Sequence, residues 1–231
     1  MDLAVVMPIY NEEANIENVI GEWTAELSRL GITFVVLAVN DGSRDGTGAV
    51  LERLAAHDAT VSAIGKANAG HGRACRTGYE QAVGTGAAWV LQIDSDGQCD
   101  PGFFREFWSA RADADCVFGL RTSRDDGAMR SLVSAGCRAV TSVLCGMDLK
   151  DANVPYRLIR SPVLAEALAR IPADFDMQNV ALTVALKRDR SLRWKYISIH
   201  FRDRQGGTNS IHLRRILAMG WELARNFHRI R

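Results

Sequence analysis

Apolar runs of strand length recur through the first half of the chain: Leu3–Ile9, Phe34–Val39, Val61–Ile64, Trp89–Ile93 and Cys116–Leu120. Each is rich in Val, Ile or aromatic residues, the side chains that fit a pleated, buried surface. Between them lie segments of mixed charge and helical character, Glu13–Leu30, Asp45–His57, Gly72–Val83 and Pro101–Arg111. This alternation of strand and helix predicts an α/β domain with a mainly parallel sheet covered by helices on both faces. After Arg121 the pattern loosens into a loop bearing Gly and Asp, a helix-like run over 128–144 and the segment "DANVPYRLIR". No stretch rich in Pro, Gly or Ser marks a second domain, and no repeat is visible. Residues 1–209 therefore read as one domain, followed over 210–231 by a basic amphipathic helix.

Three of the predicted strands end abruptly in polar residues: Tyr10-Asn11-Glu12, Asn40-Asp41-Gly42-Ser43 and Asp94-Ser95-Asp96. In parallel sheets ligands sit beyond the carboxyl ends of the strands, so these three ends converge on the expected site. Side chains two apart on a strand share a face, which would let Asp94 and Asp96 reach one cation if the strand continues. Mg²⁺ is held in this way, by one or two carboxylates together with substrate phosphates and water. Taken alone the tripeptide reads more readily as an ordinary acidic turn closed by Gly97. Its place at the end of a buried strand, beside two other polar strand ends, favours the metal.

The remaining chemistry narrows by exclusion. A chain of 231 residues, 47% hydrophobic and 24% charged with a formal net charge of +1, has the balance of a globular protein and no overall field to recruit nucleic acid. "DGSRDGTGAVLE" matches the spacing of a calcium loop, but it follows a strand-like run rather than a helix, and Asp45 suits the N-terminus of the next helix. There is no G-x-x-x-x-G-K-[ST], "GHGRAC" lacks the third glycine of G-x-G-x-x-G, and no G-x-S-x-G occurs, which removes P-loop, dinucleotide and α/β-hydrolase readings. Five cysteines in odd number, without C-x-x-C spacing, read as reduced and structural, and His71 and His200 as structural too. Arg121, Arg130, Arg157, Arg202 and Arg204 cluster in the less regular second half, where loops would offer guanidinium groups to phosphate.

Taken together, "VVMPIYNEEANI", "VNDGSRDGT", "NAGHGRACRTGYEQA", "LQIDSDGQ", "DANVPYR" and "FRDRQGGTNS" resemble glycosyltransferase family 2. The likeness is greatest to its branch of dolichol-phosphate mannose synthases and bacterial polyprenyl-phosphate glycosyltransferases, and it runs from residue 3 to about 215. The resemblance implies a GT-A fold and an inverting, metal-dependent transfer of a hexose from a GDP- or UDP-sugar to polyprenyl phosphate. It implies that Pro8, Tyr10, Glu12 and Asp41 border the nucleotide, that Asp94, Ser95 and Asp96 meet the nucleotide sugar, and that Asp94, Asp96 and Gln98 hold Mg²⁺ or Mn²⁺. Arg130, Ser134, Arg202 and Arg204 match positions near the acceptor phosphate. Asp96, Arg121, Arg130, Asp151, Arg157 and Arg204 match positions expected to serve catalysis. The sequence departs from the family at Asn40, where an aspartate is common, at Pro155, where glycine is usual, and at Asn209-Ser210 in place of a Ser-Lys pair. A hydroxyl acceptor is the competing expectation; it would need a general base, for which Asp151 and Asp176 are the candidates.

No apolar run approaches the roughly 18 residues that a spanning helix requires. The expected location is therefore cytoplasmic, at the inner face of a membrane where a lipid acceptor is used. In 210–231, Ile211, Ile216, Leu217, Trp221, Leu223, Phe227 and Ile230 interleave with arginines at helical spacing. Such a segment can lie in a membrane interface, or it can pack its apolar stripe on the domain or a second copy.

Overall fold

The computed structural model describes residues 1–121, 152–175, 177–202 and 230. The elements alternate as expected through the first half: β1 (Leu3–Ile9), α1 (Ile16–Arg29), β2 (Phe34–Asn40), α2 (Thr47–His57), β3 (Val61–Gly65), α3 (His71–Gly84) and β4 (Trp89–Ile93). A short 3₁₀ turn at Pro101–Phe103, α4 (Phe104–Ala110) and β5 (Cys116–Arg121) follow. Beyond the gap come β6 (Tyr156–Arg160), α5 (Ser161–Ala169), α6 (Gln178–Arg188) and β7 (Trp194–Ile199). None of these last four was expected from the sequence. Among the described residues no helix is long and apolar enough to cross a membrane.

The strands form one sheet in the order β3-β2-β1-β4-β6-β5-β7. β1 pairs in parallel with both β2 and β4, and β2 with β3. β6 runs antiparallel to both β4 and β5, so β5 and its parallel partner β7 run in the same direction as β1 to β4. The carboxyl ends of six strands thus open on one edge, and the amino end of β6 joins them there.

All seven residues of β1 are buried, as a central strand covered on both faces demands. On one face Trp23 of α1 packs edge-on against Phe104 at 5.9 Å and tilts over Tyr156 at 5.7 Å, while Phe107 of α4 approaches Tyr156 to 4.4 Å. On the other face α3 lies directly on the backbone of β1: a Cβ on Gly78 would stand 2.3 Å from Val6 Cγ1. Neighbouring residues of β6 serve opposite faces, Tyr156 the side of α1 and α4, Arg157 the side of α3 and α6.

Candidate active site at the carboxyl edge of the sheet

The first two polar strand ends are tied to each other. Asn11, in the left-handed region at φ 54°, donates its N–H to Ser43 Oγ at 3.0 Å, and its own Oδ1 accepts from the Arg44 N–H at 2.8 Å. The Glu12 N–H donates to Thr47 Oγ1 at 2.9 Å, and the Gly46 N–H to Glu13 Oε2 at 2.8 Å. Asp45 accepts from the Thr47 N–H and hydroxyl at 3.1 and 2.6 Å, so it secures the start of α2 and the side chains of the apparent calcium loop serve other partners. Pro8 is buried within β1, Glu12 is buried beside it, and Tyr10 is 43% exposed at the rim.

Asp41, expected to border the nucleotide, stands just past the end of β2 with its carboxylate turned to the loop after β3. It is 2% exposed, its Oδ1 accepts from Lys66 Nζ and from the Ala69 N–H at 3.0 Å, and its Oδ2 from the Gly70 N–H at 2.8 Å. Asn68 Nδ2 donates to its carbonyl at 2.8 Å. The carboxylate therefore holds the loop after β3 against the end of β2. Gly42 sits at φ +68° with the Asn68 nitrogen 2.7 Å from where a Cβ would stand, so this turn admits no side chain. Lys66 and Asn68 lie outside the sequence expectation, because a lone lysine after a strand carries no local signal of a buried partner.

The third strand end is the acidic one. β4 stops at Ile93 and the chain bends through Asp94-Ser95-Asp96, with Gly97 at φ +77°, so strand alternation is not what relates the two carboxylates. Asp94 and Asp96 are partly exposed and Ser95 is buried. Asp96 Oδ1 accepts from the Gln98 N–H at 3.1 Å. Burial first, then the Asp94 carboxylate, pushes the buried Cys99 thiol well above its ordinary value; Asp96 adds to that push and Arg121 opposes it. Asp94 and Asp96 after the end of β4, and Arg121 as the last residue of β5, thus stand on the same carboxyl edge of the sheet.

His71, the first residue of α3, brings its Nε2 to 3.7 Å from Asp94 Oδ1 and 3.4 Å from Cys75 Sγ. The sulfur foremost, then Asp94, raises its pKa against the opposing effects of burial and Arg157. Its side chain is 53% exposed, so solvent screens this attraction. The sequence reading of His71 as merely structural missed its closeness to Asp94, which arises only when α3 packs across the sheet.

Two arginines of the set expected near phosphate make hydrogen bonds within the protein. Arg157 is 0% exposed. Its Nε and Nη2 donate to the Val154 carbonyl at 2.9 and 2.5 Å, its Nη2 to the Ala152 carbonyl at 3.3 Å, and its Nη1 to the Asn179 carbonyl at 3.0 Å. The guanidinium also lies 5.0 Å from the Phe118 ring centre. Arg157 therefore ties the start of β6 to α6 from within the core. Arg202 donates to Glu22 Oε2 at 2.6 Å and Asp100 Oδ1 at 2.7 Å, binding the strand end to α1 and the acidic bend. Gln98 Nε2 donates to the Arg202 carbonyl at 3.3 Å, which leaves its Oε1 as the oxygen that could serve a metal. Arg130, Ser134, Asp151, Asp176 and Arg204 lie outside the described residues, as does 210–231 apart from Ile230. Ile230 is buried and its carbonyl accepts from Arg188.

Among the described residues no group of three or more His, Cys, Asp and Glu side chains is arranged to hold a metal ion. Asp94 and Asp96 form a shorter set of hard oxygen donors. That set fits a divalent cation which takes its remaining ligands from a diphosphate and water, the usual mode of Mg²⁺ at phosphate substrates.

An α/β domain with an acidic bend and an arginine at the carboxyl edge of its sheet has its charged groups where open parallel sheets bind ligands. Residues 4–132 match the model of the family described as Glycosyl transferase family 2, and the chain belongs to that family. It is 30% identical over 170 residues to an undecaprenyl-phosphate 4-deoxy-4-formamido-L-arabinose transferase of Pseudomonas aeruginosa (strain LESB58), covering 72% of this chain and 49% of that protein. The transferase of the same name from Pseudomonas fluorescens (strain SBW25) is 25% identical over 224 residues, 96% of this chain and 63% of that one. This chain thus spans about half to two thirds of the length of these relatives. The fold is also that of glucosyl-3-phosphoglycerate synthase from Mycobacterium tuberculosis in complex with Mn²⁺, UDP-glucose and phosphoglyceric acid. That match has a TM-score of 0.72 at 18% identity, over 99% of this chain and 79% of the other. The expected GT-A architecture is the one observed.

Proposed function

We propose that this chain is an inverting, metal-dependent glycosyltransferase that carries a sugar from a nucleotide-sugar donor to a polyprenyl phosphate. The observation that carries this reading is the acidic bend Asp94-Ser95-Asp96 after β4, on the carboxyl edge of the sheet where β5 also ends in Arg121, in a chain whose curated relatives are named for transfer to undecaprenyl phosphate. Asp94 and Asp96, with Gln98 Oε1, are the groups that would hold Mg²⁺ or Mn²⁺. When bound, such an ion neutralises charge on the diphosphate as it leaves. Arg121 adds a fixed positive charge on the same edge, where it is worth more in a partly dehydrated site than in water.

Pro8, Tyr10, Glu12 and Asp41 are the proposed border of the nucleotide, with Tyr10 the exposed ring available for a base to lie against. Displacement at the anomeric carbon by an oxygen arriving from the opposite side would invert its configuration. A phosphate monoester, with a second pKa of about 6, arrives as an anion and needs no protein base. Its contacts are proposed for Arg130, Ser134 and Arg204, and for Arg202, which also pairs with Glu22 and Asp100. The relatives' sugar is a derivative of a pentose and the structural neighbour's a hexose, so donor choice is tested with both, as UDP and GDP sugars. The expected result is a mass-identified glycosyl phosphopolyprenol that forms with undecaprenyl phosphate and Mg²⁺ or Mn²⁺, and fails in Asp96→Asn without loss of thermal stability. Products on hydroxyl acceptors alone, or metal-independent turnover in Asp96→Asn, would overturn the proposal.

A further inference from the structure

Behind the acidic bend lies a buried polar network with no counterpart in an ordinary parallel-sheet core. Gln92 is 0% exposed in the middle of β4, where an apolar side chain would be expected. Its Nε2 donates to Asp94 Oδ1 at 3.1 Å. Its Oε1 accepts from Asn179 Nδ2, at the start of α6, at 3.4 Å. Asn179 Oδ1 in turn accepts from the Tyr79 hydroxyl of α3 at 2.9 Å, and Tyr79 is fully buried.

The order of donors matters. A phenol has one hydrogen to give, and here it goes to the amide oxygen of Asn179 at the shorter distance; the Gln92 oxygen is 3.4 Å away. That bond turns the Asn179 NH₂ toward Gln92, whose oxygen receives it. Gln92 is then left with its NH₂ facing Asp94. Each amide has its orientation set by the one before it, and the last presents a donor to a carboxylate. Arg157, opposite Gln92 in the β4–β6 register, holds the Asn179 carbonyl and so the position of the whole relay.

We propose that Tyr79, Asn179 and Gln92 are positioning residues that fix the rotation of the Asp94 carboxylate and direct its second oxygen to the divalent cation. The inference rests on the metal reading of Asp94 and Asp96. The hydrogen bond from Gln92 and the approach of His71 both fall on Oδ1, which leaves Oδ2 as the oxygen for coordination. Groups that orient a metal's ligands typically govern its affinity by 10- to 100-fold, about the effect expected here.

The test uses the full chain and Mn²⁺, with free ion followed by electron paramagnetic resonance in the presence of UDP or GDP. Two variants are compared with the wild type: Tyr79→Phe, and the triple replacement Tyr79→Phe, Gln92→Met, Asn179→Leu. Exchanging every member for an apolar group of similar shape leaves no polar side chain stranded within the network, and Asp94 Oδ1, which loses the Gln92 donor, is partly exposed to water, so the fold is expected to survive. The triple variant should bind Mn²⁺ at least about tenfold more weakly, recover transfer at saturating Mn²⁺, and keep the wild-type KM for the acceptor. Tyr79→Phe should shift Mn²⁺ binding the same way by less, and it decides the question alone if the triple variant does not fold. Wild-type Mn²⁺ affinity in the folded triple variant, or in Tyr79→Phe where that decides, would overturn the relay. Wild-type affinity in Asp96→Asn, or no Mn²⁺ binding by the wild type, would instead overturn the metal reading on which it stands.

Discussion

Replacing Arg157 separates a structural arginine from one that grips phosphate. Its guanidinium is wholly buried and gives its hydrogens to the Ala152, Val154 and Asn179 carbonyls, with Thr183 Oγ1 at 3.4 Å. Hydrogen bonds from a charged group contribute about 1.5–3 kcal/mol each, but burying the charge costs several kcal/mol. Arg157→Met removes both contributions at nearly constant volume. What remains is the loss at the carbonyls. The Asn179 carbonyl, inside α6, keeps its helical N–H donor, so the single hydrogen of the Thr183 hydroxyl can serve the Ala152 carbonyl at 3.0 Å, whereas the Val154 carbonyl loses two donors at once. One orphaned buried carbonyl and the lost tie between β6 and α6 together predict a destabilisation of about 2–4 kcal/mol. Urea unfolding followed by circular dichroism reads this as a lower midpoint, and Mn²⁺ binding should weaken alongside because Asn179 loses its anchor. An Arg157→Met protein with wild-type unfolding midpoint but no transfer would refute this reasoning and return Arg157 to the substrate.

Asp115 gives a pH-dependent prediction: hydrogen bonding and charge from Arg193, with Arg160 adding to them, hold its carboxyl below the ordinary value of 3.8. A depressed carboxyl stabilises the fold above the unfolded value and loses that effect as pH falls through the folded one. The stability gap between wild type and Asp115→Asn, about 1–2 kcal/mol after allowing for two half-exposed arginines, should be flat from neutral pH down to about 5 and close below about 4. A gap that widened in acid would refute the sign. Gly78→Ala should lower the thermal midpoint, because the added methyl would stand 2.3 Å from Val6 Cγ1 and 3.2 Å from Val39 Cγ2; strain of about 1–3 kcal/mol exceeds the gain in helix propensity of about 1 kcal/mol. A raised midpoint in calorimetry would show that α3 shifts to make room. Lys66→Met should destabilise by about 2 kcal/mol, since the buried Asp41 carboxylate keeps only its backbone donors, and chemical denaturation reading no change would mean that those donors suffice.

The first five strands were legible because each is a buried run of β-branched and aromatic residues, and the observed bounds differ from the expected ones by at most a residue at each end. The helix expected from Glu13 begins instead at Ile16, because Glu12 and Glu13 are drawn into the hydrogen bonds that staple the first two loops. β6 and β7 escaped notice for different reasons. β6 carries Arg157 at its second position, and a charge inside a five-residue run hides an apolar strand whose burial depends on distant α6. β7, "WKYISI", lies at the sheet edge, with Lys195 and Ser198 exposed and only Ile197 and Ile199 buried. The acidic bend was legible as a site, but the reason offered for the pairing of Asp94 with Asp96, a strand that continues, was not the one the chain uses. For Arg157 and Arg202, a charged residue near a loop signal reads the same whether its partner is a ligand phosphate or the protein's own backbone.

Gln92 shows what a sequence signal for such support looks like. Within Trp89–Ile93 it is the polar side chain of a run that otherwise favours burial, two residues before the first carboxylate and on the same side of the strand. Burying an amide without partners costs about 1–3 kcal/mol, so a polar residue at such a position requires a complement elsewhere in the chain. Here the complement comes from α3 and from α6, 13 and 87 residues away. Long-range pairing of that kind cannot be read from local periodicity, but the misplaced polar residue can. A lone amide in a buried strand just before an acidic strand end points to a polar neighbour that the fold must supply, and in this chain that neighbour sets the aim of the carboxylate on which the proposed chemistry depends.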